Sequence, residues 1–256
     1  MKAYKYFYLA LIAHTSAATD DWPTFINSCN NKLGLSNWAI PNDQITASSK
    51  HFSKVYQTYW HPKWARLDYV PAWPLTNAWM PNLDQPNFDL KNEYLQIDLG
   101  SLKVLTGIAT QGTEMYFRKS YISRFKIETS KDGKTWSTVQ KWSSNNNSNS
   151  NSNSRKNRKN RAKYHQSLVR TESKTDQIFY GDDFLNGDSE NQVSMSLFPG
   201  VLIGRFIRFR PVEYKNHPIL KMELYGCDYD YNKISLPKGK NTVFESRRIT
   251  YDMRHS

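Results

Sequence analysis

Tyr94-Leu95-Gln96-Ile97-Asp98-Leu99-Gly100 alternates strictly between apolar and polar side chains once past Tyr94. Successive side chains of a strand point to opposite faces, so Leu95, Ile97 and Leu99 share one face and Gln96 and Asp98 the other. That is a half-buried strand. Val104 to Thr110 reads as a second strand, and Phe125-Lys126-Ile127-Glu128-Thr129 as a third. The third leads into Lys131-Asp132-Gly133-Lys134. Asp-Gly between strand-like runs predicts a hairpin, because glycine takes a positive φ at little cost. Thr135-Trp136 then opens the return strand. Phe206-Ile207-Arg208-Phe209 is an apolar strand with an outward Arg, expected to stop at Pro211, which has no amide to donate. Lys221-Met222-Glu223-Leu224-Tyr225-Gly226-Cys227 closes the series. No stretch sustains a 3.6-residue period, so the fold class is all-β: an antiparallel β-sandwich.

A chain of 256 residues suffices for one good core, or one core and a fragment of a second. Apolar residues make up only 38% but aromatic ones 14%, a composition that suits short strands better than disorder. At the amino terminus Lys2 and Lys5 precede an apolar run from Tyr6 to Ala13, and Ser16-Ala17-Ala18 supplies small residues for cleavage. Residues 1–18 therefore read as a secretory signal, and the protein as extracellular, either secreted or a cell-surface ectodomain. The other reading of that run is a buried first strand. In an oxidising compartment the two cysteines, Cys29 and Cys227, are most simply one disulfide, with two buried free thiols as the alternative. Such a bond would tie the first strand to the last. In the chain-entropy picture it would contribute on the order of 5 kcal/mol.

The net charge of +12 is concentrated in one segment. Residues 141–175 carry nine basic side chains against Glu172 alone, whereas the strand-bearing remainder is close to neutral. Ser143 to Ser154 is almost entirely Asn and Ser and cannot offset its ordering entropy by apolar burial. Residues 143–175 are expected to be a disordered insertion between two strands. Within it the basic run 155–163 is either a contact for heparin-like polyanions or simply a solvated loop. Asn146-Asn147-Ser148 is the chain's one glycosylation sequon. No Gly-x-Ser-x-Gly, His-Glu-x-x-His or phosphate-binding Gly loop occurs. The six His residues lack paired spacing. A binding protein with no cofactor or metal, no catalytic residues and no nucleic-acid partner is the expectation.

Several ordered motifs resemble a discoidin domain, also called the coagulation factor V/VIII C-type domain. They are Leu33-Gly34-Leu35, Ile40-Pro41-Asn42-Asp43-Gln44-Ile45-Thr46-Ala47-Ser48-Ser49, Ala65-Arg66-Leu67-Asp68 and Ala78-Trp79, then Glu93 to Leu99, Thr110-Gln111-Gly112, Ser130-Lys131-Asp132-Gly133, Arg205 to Pro211 and Glu223 to Cys227. The likeness covers residues 29–227 apart from the insertion. It implies a jelly-roll, galactose-binding-like sandwich that binds ligand through loops at one end. Thr110-Gln111-Gly112 and Leu224-Tyr225-Gly226-Cys227 resemble most the amino-terminal domain of the discoidin domain receptors, which bind collagen and carry a tyrosine kinase. Residues 228–256 resemble either a linker or the start of those receptors' second domain, and the chain has no kinase motif.

The resemblance also shows departures. The receptors' second disulfide is replaced by Met80 and Ile219, expected to be neighbours in the core. Their Arg after Thr-Gln-Gly is Thr113 here, the nearby Glu falls near Ser120, and the loop 50–64 is longer. The implied ligand end consists of Phe52, Tyr56, Tyr59 and Trp60 from the first loop. The later loop adds Thr113, Glu114, Tyr116, Phe117, Arg118 and Lys119. Aromatic rings interleaved with Arg are common anchors, although such folds also bury many rings. Two classes of partner follow: collagen or another matrix protein, and a glycan or an anionic lipid surface, as other discoidin domains bind. Aromatic tips ringed by Lys54, Arg118 and Lys119 would favour lipid. A trench walled by flat Tyr and Trp rings would favour collagen.

Overall fold

The computed structural model describes residues 28–71, 76–115, 118–144, 172–181 and 193–230. Among them lie β1 (Asn31–Lys32), β2 (Ile45–Ala47), β3 (Phe52–Ser53), β4 (Thr58–Tyr59), β5 (Leu95–Gln111) and β6 (Thr113–Met115). There follow β7 (Arg118–Ser130), β8 (Ser137–Thr138), β9 (Gln140–Ser144), β10 (Glu172–Asp176), β11 (Phe179–Tyr180), β12 (Val193–Lys215) and β13 (Lys221–Asp228). The alternation around Ile97 does what its period demands. Leu95, Ile97 and Leu99 are buried, while Asp98 turns outward to a two-pronged pair with Arg205 (2.7 and 2.8 Å). That hydrogen-bonded pair holds the Asp98 carboxyl below its usual range.

The main sheet is antiparallel and runs β1-β13-β5-β12-β7-β11, with β2 on β5 and β6 and β8 on β7. Two long strands feed both layers of the sandwich. The first part of β5 pairs with β2 and with 206–209 of β12, and its second part with β13 and with 193–204 of β12. Irregularities in β12 between Leu197 and Leu202 and between Gly204 and Phe206 bend it between these partners. Between the layers Phe125 stacks on Phe209 (4.3 Å) and Phe179 (5.6 Å), alongside Trp79, Ile97, Ile108 and Leu224. Cys29 and Cys227 form the expected disulfide, with Cα atoms 4.9 Å apart. Met80 and Ile219 are both fully buried in one small cluster, neighbours in the core as expected.

The Asp-Gly hairpin forms. Gly133 takes φ +73°, and Asp132 accepts from the amides of Lys134 and Thr135 and from Ser130 Oγ, which keeps it strongly acidic. Four boundaries differ from expectation. The runs read as the first and second strands are one, β5, and the return strand opens at Ser137 rather than at Thr135. β12 does not stop at Pro211 but continues to Lys215, with a bulge between Pro211 and Glu213 that absorbs the missing donor. β9 and β10 pair from Gln140↔Asp176 to Ser144↔Glu172, so 143–144 and 172–175 belong to a ladder rather than to the insertion. Composition suggested a break there, but backbone amides and carbonyls pair whatever side chains they carry. The rest of the insertion, with Asn146 and the run 155–163, lies outside the described residues, as do 1–27 and 231–256.

Candidate functional site: two hairpins and a turn at one end of the sandwich

Ser53 and Thr58 pair beneath a four-residue tip, Lys54 to Gln57. The tip is fastened locally: Ser53 Oγ accepts from the Tyr56 backbone amide (3.2 Å), and Gln57, in the left-handed region at φ +52°, donates its side-chain Nε2 to Lys54 O (2.5 Å). Both legs of this β3–β4 hairpin are tied to the segment around Met80. The His51 backbone amide donates to Met80 O (2.9 Å), and the Met80 backbone amide donates to Trp60 O (3.5 Å).

Burial divides the hairpin's aromatic residues. Trp60 is 3% exposed, among Ala78, Met80, Met115 and Ile219, with Tyr56 and Leu83 against the cluster. Trp60, counted among the ligand-end residues from the sequence, is thus buried beneath that end rather than exposed on it. Its ring is the plug on which the hairpin stands, packed against the apolar surface of Ala78, Met80, Met115 and Ile219. Phe52 and Tyr59 are paired across the strands, their rings edge to face at 5.0 Å, and stay 37% and 44% exposed. Val55, at the tip, is 66% exposed. Lys50 places its ammonium 4.7 Å from the Tyr59 ring.

The second hairpin joins β6 to β7 with Thr113 opposite Ser120, Glu114 opposite Lys119 and Met115 opposite Arg118. Gly112 admits it: a Cβ there would lie 2.4 Å from Ser120 O. Met115 plugs into the Trp60 cluster, which brings both predicted loops to one end of the molecule. Glu114 and Arg118 are exposed and Lys119 half-buried, while Thr113 accepts from Asn77 Nδ2 (2.9 Å). Tyr116 and Phe117 lie outside the described residues.

A third element escaped the sequence reading. The turn after β12 lays Asn216 (φ +56°) against the second hairpin, its side-chain Nδ2 donating to Lys119 O (2.6 Å), and His217 Nδ1 lies 3.2 Å from Ser120 Oγ. The available signal was Asn216-His217-Pro218, a turn-forming run directly after a strand. Val55 carried no signal, since a lone valine in a loop is ordinary. Lys50, Lys54, Arg118 and Lys215 are exposed around this end, with Lys119 half-buried, against exposed Asp84 and Glu114. His51 and His217 are both pushed below the usual imidazole range, first by burial. Lys54 adds to the effect at His51 and outweighed Asp84 opposes it; at His217 the second contributions are His51 and Arg118. Among the described residues no group of His, Cys, Asp and Glu could hold a metal ion, and no helix is long and apolar enough to cross a membrane.

The arrangement displays apolar and cationic side chains on a packed apolar base. Comparisons with known proteins agree with this architecture. Residues 44–171 match the F5/8 type C domain. The chain is 31% identical over 203 residues to coagulation factor VIII of Sus scrofa, covering 79% of this chain and 7% of that protein. It is likewise 31% identical over 203 residues to lactadherin of Bos taurus, covering 79% of this chain and 38% of lactadherin. It thus spans well under half the length of these relatives. Discoidin II of Dictyostelium discoideum superposes with a TM-score of 0.48 at 16% identity, over 78% of this chain and 60% of that one. By the match over 44–171, the chain belongs to the F5/8 type C, or discoidin, domain family.

Proposed function

We propose that this domain is an extracellular, non-catalytic module that docks on anionic membrane surfaces through its hairpin end. The carrying observation is the β3–β4 tip: Phe52, Val55 and Tyr59 stand exposed on a base plugged by Trp60, with Lys50 and Lys54 beside them and Arg118 and Lys119 on the neighbouring hairpin. Fully burying a Val or Phe side chain is worth about 1.5–3 kcal/mol. Each basic side chain near an anionic surface adds about 1 kcal/mol. Two apolar tips and a few lysines therefore support reversible docking without a membrane span. The Cys29–Cys227 bond fits an oxidising compartment.

Collagen, which the likeness to the receptors implied, has less support at this end. Trp60 is a buried plug, and Thr113, tied to Asn77, replaces the charged reader after Thr-Gln-Gly. Sedimentation with phosphatidylcholine vesicles, with and without phosphatidylserine, tests the proposal. Capture is expected only with phosphatidylserine, falling at high salt as the charges are screened, and lost in Phe52→Ser/Val55→Ser. Binding to triple-helical collagen with no binding to either vesicle would overturn it in favour of the matrix reading.

A further inference from the structure

Two histidines sit in the seam between the hairpins, and the docking described above makes no use of them. His51 stands at the root of the β3–β4 tip, one residue before the exposed Phe52. Its backbone is pinned on both sides: the amide donates to Met80 O (2.9 Å), and the carbonyl accepts from the Trp60 amide (2.9 Å). His217 belongs to the turn after β12, and its Nδ1 lies 3.2 Å from Ser120 Oγ of the second hairpin. The two rings are near enough for the charge of one to act on the other.

Their surroundings hold the rings neutral. Both are half-buried. His51 meets Lys54 from its own tip and Asp84 from the turn after Met80, whose carboxylate stands 3.8 Å from His51 Nδ1. That is too long for a hydrogen bond, and His51 Nδ1 is buried with no hydrogen-bond partner among the described residues. A protonated ring would carry a charged N–H there, facing Asp84. His217 meets His51 and, from β7, Arg118. Exposed Lys215 precedes it on β12, and half-buried Lys119 and exposed Glu114 face each other across the neighbouring hairpin. Burial first, and nearby cations after it, oppose a proton on either ring, so both stay uncharged near neutral pH.

An anionic surface reverses that balance. Negative lipid charge brought against this end attracts protons as it attracts lysines, so each ring is easier to charge when docked than when free. Linkage makes the effect reciprocal: a proton favoured by docking favours docking. As pH falls, two further positive charges join Lys50, Lys54 and Arg118 at the surface. Resting on the membrane reading of the hairpin end, we propose that His51 and His217 make docking proton-dependent, weaker at neutral pH and strengthened as the medium acidifies.

The test is sedimentation of the whole chain with phosphatidylcholine vesicles containing phosphatidylserine, which keeps its charge over the range from about pH 7.5 to 5.5. Apparent affinity should rise about five- to tenfold on acidification across that range. The His51→Asn/His217→Asn variant should lose most of the rise. His217→Lys, charged throughout, should raise capture at neutral pH and lessen the rise. Melting curves at each pH establish that the proteins compared are folded. NMR titration of the imidazole protons in the unaltered chain should show both midpoints moving up when phosphatidylserine nanodiscs are added. Capture equal at the two pH values, or a rise that the folded double variant keeps in full, would overturn this inference and leave the membrane reading standing. Absence of capture at every pH would overturn both.

Discussion

Two groups of aromatic residues lie in the first third of the chain, and they are held by opposite means. The β3–β4 hairpin rests on an apolar plug: Trp60 is buried against Met80 and Ile219, and the rings above it, Phe52 and Tyr59, touch mainly each other. The Trp38, Trp64 and Tyr69 group rests on charge: a buried Arg66 and a buried Glu223 lock the loop beneath it through hydrogen bonds. An apolar base tolerates movement above it, because dispersion and hydrophobic contact have little directionality. A base of charge-assisted hydrogen bonds fixes geometry. An apolar base of the first kind suits the fluid surface proposed for the hairpin end.

The sharpest way to break the contrast is to remove each base. Trp60→Ala should cost about 3–5 kcal/mol in urea unfolding, the range for large core truncations. Val55→Ser, five residues away, should stay within about 0.5 kcal/mol. Equal losses would show that the tip, not only its plug, is packed. Glu223→Ala should cost about 3 kcal/mol or more, because it strands several buried amides and leaves Arg66 without its counter-charge.

Lys221 sharpens the point from the other side. It is 4% exposed in β13 beside Asp68, and burial pushes its ammonium down to about 8. A base whose folded pKa lies below its ordinary value near 10.5 destabilises the fold when charged. Stability should thus rise as pH goes from about 8 to 10.5. Lys221→Met should flatten that rise and add on the order of 2 kcal/mol at neutral pH. A destabilised Lys221→Met would mean that the ammonium is needed to hold Asp68.

The smallest effect concerns His51 and His217, between the hairpins. Both are held below the ordinary histidine value, so the unfolded chain takes up protons first, and stability should fall as pH drops below about 6.5. Thermal midpoints between about pH 7.5 and 5.5 should show a modest decline that the His51→Asn/His217→Asn double variant removes. An unchanged slope would place both rings outside the titrating contacts.

Strand identity and fold class were legible because they follow from short-range rules. The alternation of Leu95, Ile97 and Leu99 needs only the two-residue period of a strand. The turn at Asp132-Gly133 needs only a residue free to adopt a positive φ. The pairing of the two cysteines and the burial of Met80 with Ile219 followed from the compartment and from the likeness to discoidin domains. What tertiary structure alone decided is which rings face water. Trp60 and Tyr59 are neighbours of similar chemistry; one is a plug and the other a rim because Met80, Met115 and Ile219, distant in sequence, converge beneath only one of them. Trp38 belonged to no expected site, and its exposure depends on Arg66 and Glu223, the latter more than 180 residues away in the chain. Local sequence sets the backbone's period, whereas burial is a property of the space that distant segments enclose.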